Sequence, residues 1–225
     1  MGNVLKRITA AAESCGRDPG GIKLVAVTKT HSPEMIEEAI RSGVEFIGEN
    51  KVQEAEAKLS LIKEKYNEFH YIGHLQSNKI NKLLKLDPDL IHSIDKFKTA
   101  RKLSNSLSVL DKSQKILIQV NTSGEESKFG VEPSQCQQLV SEIDQLPGIK
   151  ICGLMTIGKL TTDPNQIRSC FKTLRELFES LREMGLRNGE MRFLSMGMTA
   201  DFEIAIEEGA NIVRIGSAIF GPREY

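Results

Sequence analysis

A lysine directly follows one of the most apolar runs of the chain. Lys29 comes after LVAVT, and strand alternation places its side chain on the same face as Val25 and Val27. Burial disfavours the charged form of an amine, so a lysine facing the inside of a fold loses its proton more easily. A neutral amine can form a Schiff base with an aldehyde. Lys29 is therefore a candidate for covalent chemistry; the alternative is a structural lysine that extends from the rim to a carboxylate such as Glu49.

Two segments near the C-terminus combine glycine with hydroxyl side chains, which is typical of phosphate binding. The first, at 195–199, reads SMGMT, and the second, at 211–221, reads NIVRIGSAIFG and includes a possible short helical turn after its strand. Backbone N–H groups and hydroxyls at such turns can hold a phosphate. Glycine that merely permits a tight turn is the alternative explanation for each segment taken alone. An aldehyde-reactive lysine combined with both segments is a more specific pattern.

The elements that would position these residues alternate between strand and helix. Strands are predicted at 23–28, 45–48, 69–73, 90–94, 115–120, 149–155, 192–195 and 211–215. Helices are predicted at 33–42, 51–66, 77–86, 96–107, 133–145, 164–185 and 199–208, after an amphipathic helical N-terminus; Ser32 with Pro33, and Thr199 with Asp201, are taken as starts of helices. Eight such units favour a closed (β/α)8 TIM-type barrel, and the lack of an early GxGxxG turn disfavours a doubly wound dinucleotide-binding sheet.

A barrel of this type carries its site at the carboxyl ends of the strands. Most of the residues there are polar: Lys29, Glu49, Asn50, His74, Asp95, Asn121, Met155, Thr156, Ser195, Arg214, Gly216 and Ser217. For any one of them, a helix cap or a solvated loop residue is the alternative explanation.

Composition narrows the class of protein. The 225 residues include 40% hydrophobic and 27% charged residues with a formal net charge of zero, which fits one globular domain over 1–225 and gives no global field for nucleic acid or anionic lipid. No stretch is long enough to span a membrane, and Cys15, Cys136, Cys152 and Cys170 form no CxxC pair and do not cluster with histidine. We therefore expect a cytoplasmic protein without a metal, with Cys152 and Cys170 in the core.

The chain resembles a known family over nearly its whole length. The resemblance rests on the ordered segments LVAVTKT (24–30), GENKVQE (48–54), IGHLQSNK (72–79), NTSGEESKFG (121–130), GLM (153–155), SMGMTAD (195–201) and RIGSAIFGPREY (214–225). These are similar to segments of the single-domain pyridoxal 5′-phosphate homeostasis proteins, whose barrel is related to the N-terminal domain of alanine racemase. Thr199 departs from the usual serine of the family but keeps a hydroxyl.

The resemblance implies a cofactor and its binding residues. It implies pyridoxal 5′-phosphate joined to Lys29 as an internal aldimine. The residues expected around the cofactor are Asn50, His74, Met155, Ser195, Gly197, Met198, Thr199, Arg214, Gly216 and Ser217. If Arg214 faces the ring nitrogen, it must donate to a neutral pyridine, which weakens carbanion stabilisation. Racemases of similar fold keep this arrangement, so Arg214 alone does not exclude racemisation.

The implied function is storage or delivery of the cofactor in intracellular homeostasis, without catalytic turnover. The racemase-like enzymes carry a second β-domain with a catalytic tyrosine, whereas this chain ends at Tyr225 and offers besides it only Tyr66 and Tyr71. Apo forms of pyridoxal-phosphate enzymes are the expected recipients, and the protein is expected to be a monomer. Two alternatives remain: an amino-acid racemase completed by oligomerisation, and a cofactor-free phosphate-sugar enzyme with a Schiff-base lysine, which would be colourless.

The loop at 122–130 contains a second lysine of interest. Lys128 lies between Gly124 and Gly130 in a loop that follows the fifth predicted strand. Its side chain is either a solvated surface charge or an amine that moves to displace the cofactor from Lys29.

Overall fold

The strands close into a barrel. The protein is described by a computed structural model covering residues 1–221, so the last four residues of the segment at 214–225, including Tyr225, lie outside it. Neighbouring strands pair in parallel in the order β1 to β8, and β8 pairs with β1. The strands are β1 (Lys23–Val27), β2 (Phe46–Glu49), β3 (Glu68–Tyr71), β4 (Leu90–Ile94), β5 (Gln114–Gln119), β6 (Ile149–Met155), β7 (Phe193–Ser195) and β8 (Ile212–Ile215). The predicted (β/α)8 TIM-type barrel is confirmed.

Helices surround the strands, and all of those described except the last short one bury an apolar face. They are α1 (Gly2–Ser14), α2 (Pro33–Arg41), α3 (Val52–Leu59), α4 (Ile80–Lys85), α5 (Phe97–Leu110), α6 (Cys136–Ile143), α7 (Pro164–Met184), α8 (Phe202–Glu207) and α9 (Ser217–Phe220). In α2, for example, Ile36 and Ile40 are one turn apart and buried. The Ser32 side chain accepts a hydrogen bond from the Met35 amide at its start, which confirms the predicted cap.

Several predicted boundaries differ from the observed ones, and three of them bear on the site. The first strand ends at Val27, so Lys29 lies two residues beyond it. The helix predicted at 51–66 ends at Leu59, and the chain then turns back toward β3. The helix predicted at 199–208 begins at Phe202, because the Asp201 carboxylate accepts from the Met198 amide and closes a turn before the helix.

The barrel contains two kinds of interior. One apolar cluster fills part of the space between the strands and consists of Val25, Leu90, Leu117, Cys152, Met155 and Ile212, with Phe46 and Phe193 against it. The remaining interior is polar, which departs from the branched apolar layers usual in such barrels. The larger apolar cluster lies between the strands and the helices.

The cysteines occupy ordinary positions for free thiols. Cys136, Cys152 and Cys170 are buried and Cys15 is exposed, so the core prediction for Cys152 and Cys170 is confirmed. Within residues 1–221, no three His, Cys, Asp or Glu side chains are grouped in a way that could hold a metal ion. In the same range, every helix is too short or too polar to cross a bilayer.

Candidate functional site

The backbone on both sides of Lys29 is held by charged groups from α3. Lys58 donates from Nζ to the Thr28 carbonyl at 2.8 Å, and Glu54 accepts from the Thr30 amide. Thr30 has φ of 68°, a left-handed conformation that is strained for a β-branched residue and persists only where surrounding contacts fix it. Lys29 itself is half-buried. The α3 contacts therefore set the position from which the Lys29 side chain extends.

A buried carboxylate completes this cluster. Glu49 is fully buried, lies 2.6 Å from Lys58 Nζ, and accepts from the Thr28 hydroxyl at 2.6 Å. Burial raises the pKa of Glu49, and the bonds from Lys58 and Thr28 oppose that rise. Glu49, which the sequence suggested as a possible partner of Lys29, is thus paired with Lys58.

A hydrogen-bonded chain crosses the polar part of the barrel interior. Glu68 and His70 come from β3, His92 from β4, Ser195 from β7 and Arg214 from β8. His70 Nε2 lies 2.7 Å from the Glu68 carboxylate, and His70 Nδ1 lies 2.9 Å from His92 Nε2. His92 Nδ1 lies 2.9 Å from the Ser195 hydroxyl, to which Arg214 donates at 2.6 Å. This interior chain joins opposite walls of the barrel.

With a neutral His92, hydrogen bonds can run in one direction along the interior chain. Arg214 can only donate and the Glu68 carboxylate can only accept. When the Ser195 hydroxyl donates to His92, His92 donates to His70 and His70 donates to Glu68. Complete burial, with His70 and Arg214 nearby, lowers the pKa of His92 well below its usual value, in agreement with a neutral ring.

Arg214 is a buried cation whose position is fixed. Only 4% of it is exposed, and its second terminal nitrogen donates to the Thr156 carbonyl at 2.8 Å. Burial lowers the pKa of Arg214 to about 10, and the negative charge of Asp201 opposes this shift. At neutral pH the guanidinium keeps its protons and remains a donor.

The two loops predicted to bind phosphate meet at the surface. The Ser217 hydroxyl, after β8, lies 3.2 Å from the Thr199 hydroxyl, after β7. Gly197 has φ of 90°, and a Cβ there would lie 2.6 Å from the Ala205 Cβ, so packing requires glycine. At Gly216 an added Cβ would meet only an ordinary contact of 3.4 Å to Val27, so packing does not require glycine.

The remaining predicted residues lie at different depths. The Asn50 side-chain oxygen is buried and has no hydrogen-bond partner among the described residues. His74 Nδ1 is likewise buried without a hydrogen bond there, 3.9 Å from the Asp95 carboxylate, and its ring stacks on Phe129 at 3.8 Å. Met155 is fully buried in the apolar interior cluster, and Met198 is 39% exposed. An unpartnered buried amide oxygen is costly, which fits a site completed by a ligand.

Lys128 is held away from bulk solvent. Its Nζ donates to the Glu125 carboxylate and to the Gly158 carbonyl, each at 2.9 Å, and its side chain is 22% exposed. Lys128 is therefore a partly buried member of a charge-mixed turn, and its part in cofactor exchange stays a prediction.

Sequence reasoning missed the α3 residues and the two interior histidines. Glu68, His70 and His92 stand at inward positions of short strands, and this parity was the available signal. A lone histidine in an apolar run is usually a core residue whose hydrogen bonds are satisfied. Its inward-facing position in a strand therefore does not by itself predict the hydrogen-bonded interior chain. The partners of Lys58 depend on where α3 packs, which the sequence does not show.

Comparison with known proteins agrees with this arrangement. The family model described as alanine racemase, N-terminal domain, matches residues 4–224. The full chain is 42% identical to the pyridoxal phosphate homeostasis protein of Aquifex aeolicus, covering 97% of it. It is 36% identical to the protein of that name in Escherichia coli, covering 96% of it.

Solved structures also match the chain over nearly its whole length. A protein described as unknown from Bifidobacterium adolescentis is similar with a TM-score of 0.92 and 40% identity, over 96% of this chain and 91% of that one. PipY of Synechococcus elongatus, solved with pyridoxal phosphate bound, is similar with a TM-score of 0.82 and 32% identity, over 97% and 100% of the two chains. The alanine racemase of Clostridium difficile, at 14% identity and a TM-score of 0.76, shares the fold, and 60% of that chain is covered.

Proposed function

The chain belongs to the family of pyridoxal phosphate homeostasis proteins, built on the alanine racemase N-terminal domain, and we propose that it binds pyridoxal 5′-phosphate covalently at Lys29. We further propose that it stores the cofactor and delivers it to apo-enzymes inside the cell, without catalytic turnover. The observation that carries the proposal is the fixed, half-buried position of Lys29 at the carboxyl end of the barrel.

The residues around Lys29 fit this cofactor. Ser217 and Thr199 offer paired hydroxyls for a phosphate, and a Cβ at Gly216 would make only ordinary contacts with Val27, so packing does not account for this glycine. The unpartnered Asn50 oxygen can accept from a ligand hydroxyl. Bound pyridoxal phosphate supplies an aldehyde for amines and a ring that accepts electrons.

Arg214 bears on the chemistry that the cofactor would supply. Its guanidinium keeps its protons at neutral pH, so toward a ring nitrogen it can only donate a hydrogen bond. If it faced that nitrogen, the nitrogen would stay unprotonated and the ring would be a weaker electron acceptor, although this alone does not exclude racemisation.

The described tyrosines are poorly suited to proton transfer. Tyr71 is buried, its hydroxyl donates to backbone carbonyls of Asn50 and His74, and burial raises its pKa to about 12. Burial also raises the pKa of Tyr66. A catalytic group works best with a pKa near the working pH, so neither hydroxyl favours racemisation.

Borohydride trapping tests the covalent site. The purified protein, loaded with pyridoxal phosphate, is expected to absorb in the visible range and to lose that band on reduction. Peptide mass spectrometry is expected to find the phosphopyridoxyl group on Lys29. Lys29→Ala should lose the adduct and keep its fold, while the exposed lysine variant Lys51→Ala should keep both. A trapped group on another lysine of the wild-type protein would overturn the assignment, and a colourless protein that takes up no cofactor would favour the phosphate-sugar enzyme.

A further inference from the structure

A basic groove lies beside the carboxyl end of β3 and β4. It has a volume of about 570 Å3 and is lined by Gln76, Ser77, Asn78, Lys98, Arg101, Lys102 and Asn105. It includes the end of the IGHLQSNK segment, which the proposed cofactor site does not use beyond His74. We propose that the basic groove binds an oligophosphate, such as free triphosphate or the triphosphate tail of a nucleotide.

The charge around the basic groove is of one sign. The two segments that form it, 76–86 and 96–110, contain no Asp or Glu, although the whole chain has a net charge of zero. Their cations are Lys79, Lys82, Lys85, Lys96, Lys98, Arg101 and Lys102. A positive potential is therefore concentrated on this part of the surface.

Almost none of this charge is neutralised by the protein. Lys82 lies 3.7 Å from Glu56, and the other six cations have no carboxylate oxygen within 4.0 Å among residues 1–221. Cations elsewhere are often paired, as in Arg7 with Glu203 at 2.6 Å. An external anion can supply the missing partner.

The arrangement of these cations opposes folding. Lys98 lies three residues before Arg101 and four before Lys102 on α5, and like charges at these spacings repel. Lys98 also stands in the first turn of α5, where the helix dipole disfavours a cation. A bound anion with several charges would relieve both effects.

The lining indicates the class of anion. The groove is open, and every residue that lines it has a polar or charged side chain, unlike the mostly apolar residues around ordinary small ligands. Gln76, Ser77 and Asn78 line the same groove as the cations of α5, and their amide and hydroxyl donors can bind phosphate oxygens. Phe97, the aromatic residue beside the cations, has the Arg101 guanidinium 5.9 Å from its ring and is only half-exposed, so it provides a poor stacking surface for bases. A chain of phosphates fits these features better than single-stranded RNA.

Calorimetric titration with sodium triphosphate tests the proposal, with orthophosphate and a short single-stranded RNA as the other ligands. The groove variant Lys98→Gln/Arg101→Gln/Lys102→Gln removes three charges. The control variant Lys6→Gln/Lys115→Gln/Lys150→Gln removes three charges from exposed lysines with no described carboxylate partner outside the groove. We expect wild type to bind triphosphate more tightly than orthophosphate, with a loss of about tenfold or more in the groove variant and less than about twofold in the control.

Thermal unfolding gives a second, independent readout. Because the groove variant lacks the like-charge pairs, its unligated melting temperature should rise, and triphosphate should no longer raise it further. Absence of triphosphate binding to wild type, or equal losses in both variants, would overturn the proposal. Groove-dependent binding of RNA tighter than that of triphosphate would show a nucleic-acid surface instead. Lys29 lies outside the groove, so these results do not depend on cofactor binding.

Discussion

Ser195 belongs to the interior of the barrel, which limits what its hydroxyl can do for a ligand. The residue is fully buried, its hydroxyl lies 2.9 Å from His92 Nδ1, and it accepts from Arg214. Its role in the structure is to position Arg214, and its contact with a cofactor stays a prediction. The exposed hydroxyls of Ser217 and Thr199 are the better placed donors for phosphate.

The hydroxyl pair leads to a prediction about ligand preference. Ser217→Ala should weaken pyridoxal phosphate binding by about 1–1.5 kcal/mol, roughly five- to tenfold, because one hydrogen bond to phosphate is lost. Binding of pyridoxal, which lacks the phosphate, should not change. Gly216→Val added to Ser217→Ala should increase the difference by placing a branched side chain beside the hydroxyl pair. Equilibrium titration of both ligands measures the ratio, and a wild-type ratio in the double variant would place the phosphate elsewhere.

His92 makes stability depend on pH in a defined window. Its pKa is lowered in the folded state, so below about pH 6.5 the unfolded chain binds a proton that the folded protein does not. The free energy of unfolding should therefore fall by about 1.4 kcal/mol per pH unit for this residue as pH decreases from 6.5 toward 5. His92→Gln keeps polar atoms in the interior chain and removes the titration.

Urea unfolding of both proteins between about pH 5 and 7.5 measures this effect. The raised pKa of Glu49 acts in the opposite direction, since the folded state gains a proton as pH falls, and it is common to both proteins. The difference between the two curves isolates His92. Parallel curves would show that His92 is protonated in the folded protein.

At the scale of elements, the loop 122–130 has a geometry that makes Lys128 testable. Two hydrogen bonds, to Glu125 and Gly158, hold its amine, and both must break before it can attack a cofactor on Lys29. We predict that Lys128→Ala keeps covalently bound cofactor and transfers it more slowly to an apo-enzyme. Glu125→Gln weakens the restraint on the amine and should leave transfer equal or faster. Transfer rates equal to wild type in Lys128→Ala, at equal cofactor occupancy, would reduce Lys128 to a structural residue.

The elements were more predictable than their contacts. Alternating apolar runs and helical periods identify all eight strands, because both patterns are local. The end of α3 at Leu59 was not predictable, since its Lys58 contacts the distant Thr28 carbonyl and the Glu49 carboxylate. The turn before α8 was misassigned because the Asp201 carboxylate binds the Met198 amide instead of capping the helix.

The same distinction applies to the site. The position of Lys29, Ser195 and Arg214 at or near the carboxyl ends of their strands predicted that they lie toward one end of the barrel. How deeply each is buried could not be predicted from the sequence. The link between His92 and Ser195 joins residues 103 positions apart, and it exists only because β4 and β7 face each other across the closed barrel. Cross-barrel pairing of this kind is a property of closure.

For the molecule as a whole, the polar interior connects the two ends of the barrel. Lys23 pairs with Glu68 at 2.5 Å near the start of β1, and the interior chain leads from Glu68 to Arg214 on β8. The apolar cluster around Leu117 and Met155 fills the rest. A barrel filled in this way fixes Arg214 as a donor through contacts within the chain.

This self-contained arrangement leads to a prediction about assembly and activity. Because the residues proposed to hold the cofactor all come from one chain, we expect sedimentation equilibrium to give a monomer near the chain mass of 25.0 kDa, with or without pyridoxal phosphate. A racemase completed by oligomerisation would instead require a dimer, and at low concentration its rate would rise with the square of protein concentration.

We expect alanine in deuterated water to keep its α-hydrogen and its chirality at every protein concentration, because Tyr71 is engaged by backbone carbonyls and burial raises its pKa to about 12. Solvent deuterium incorporation that appears only with a dimer, and disappears in Lys29→Ala, would replace the carrier with a racemase.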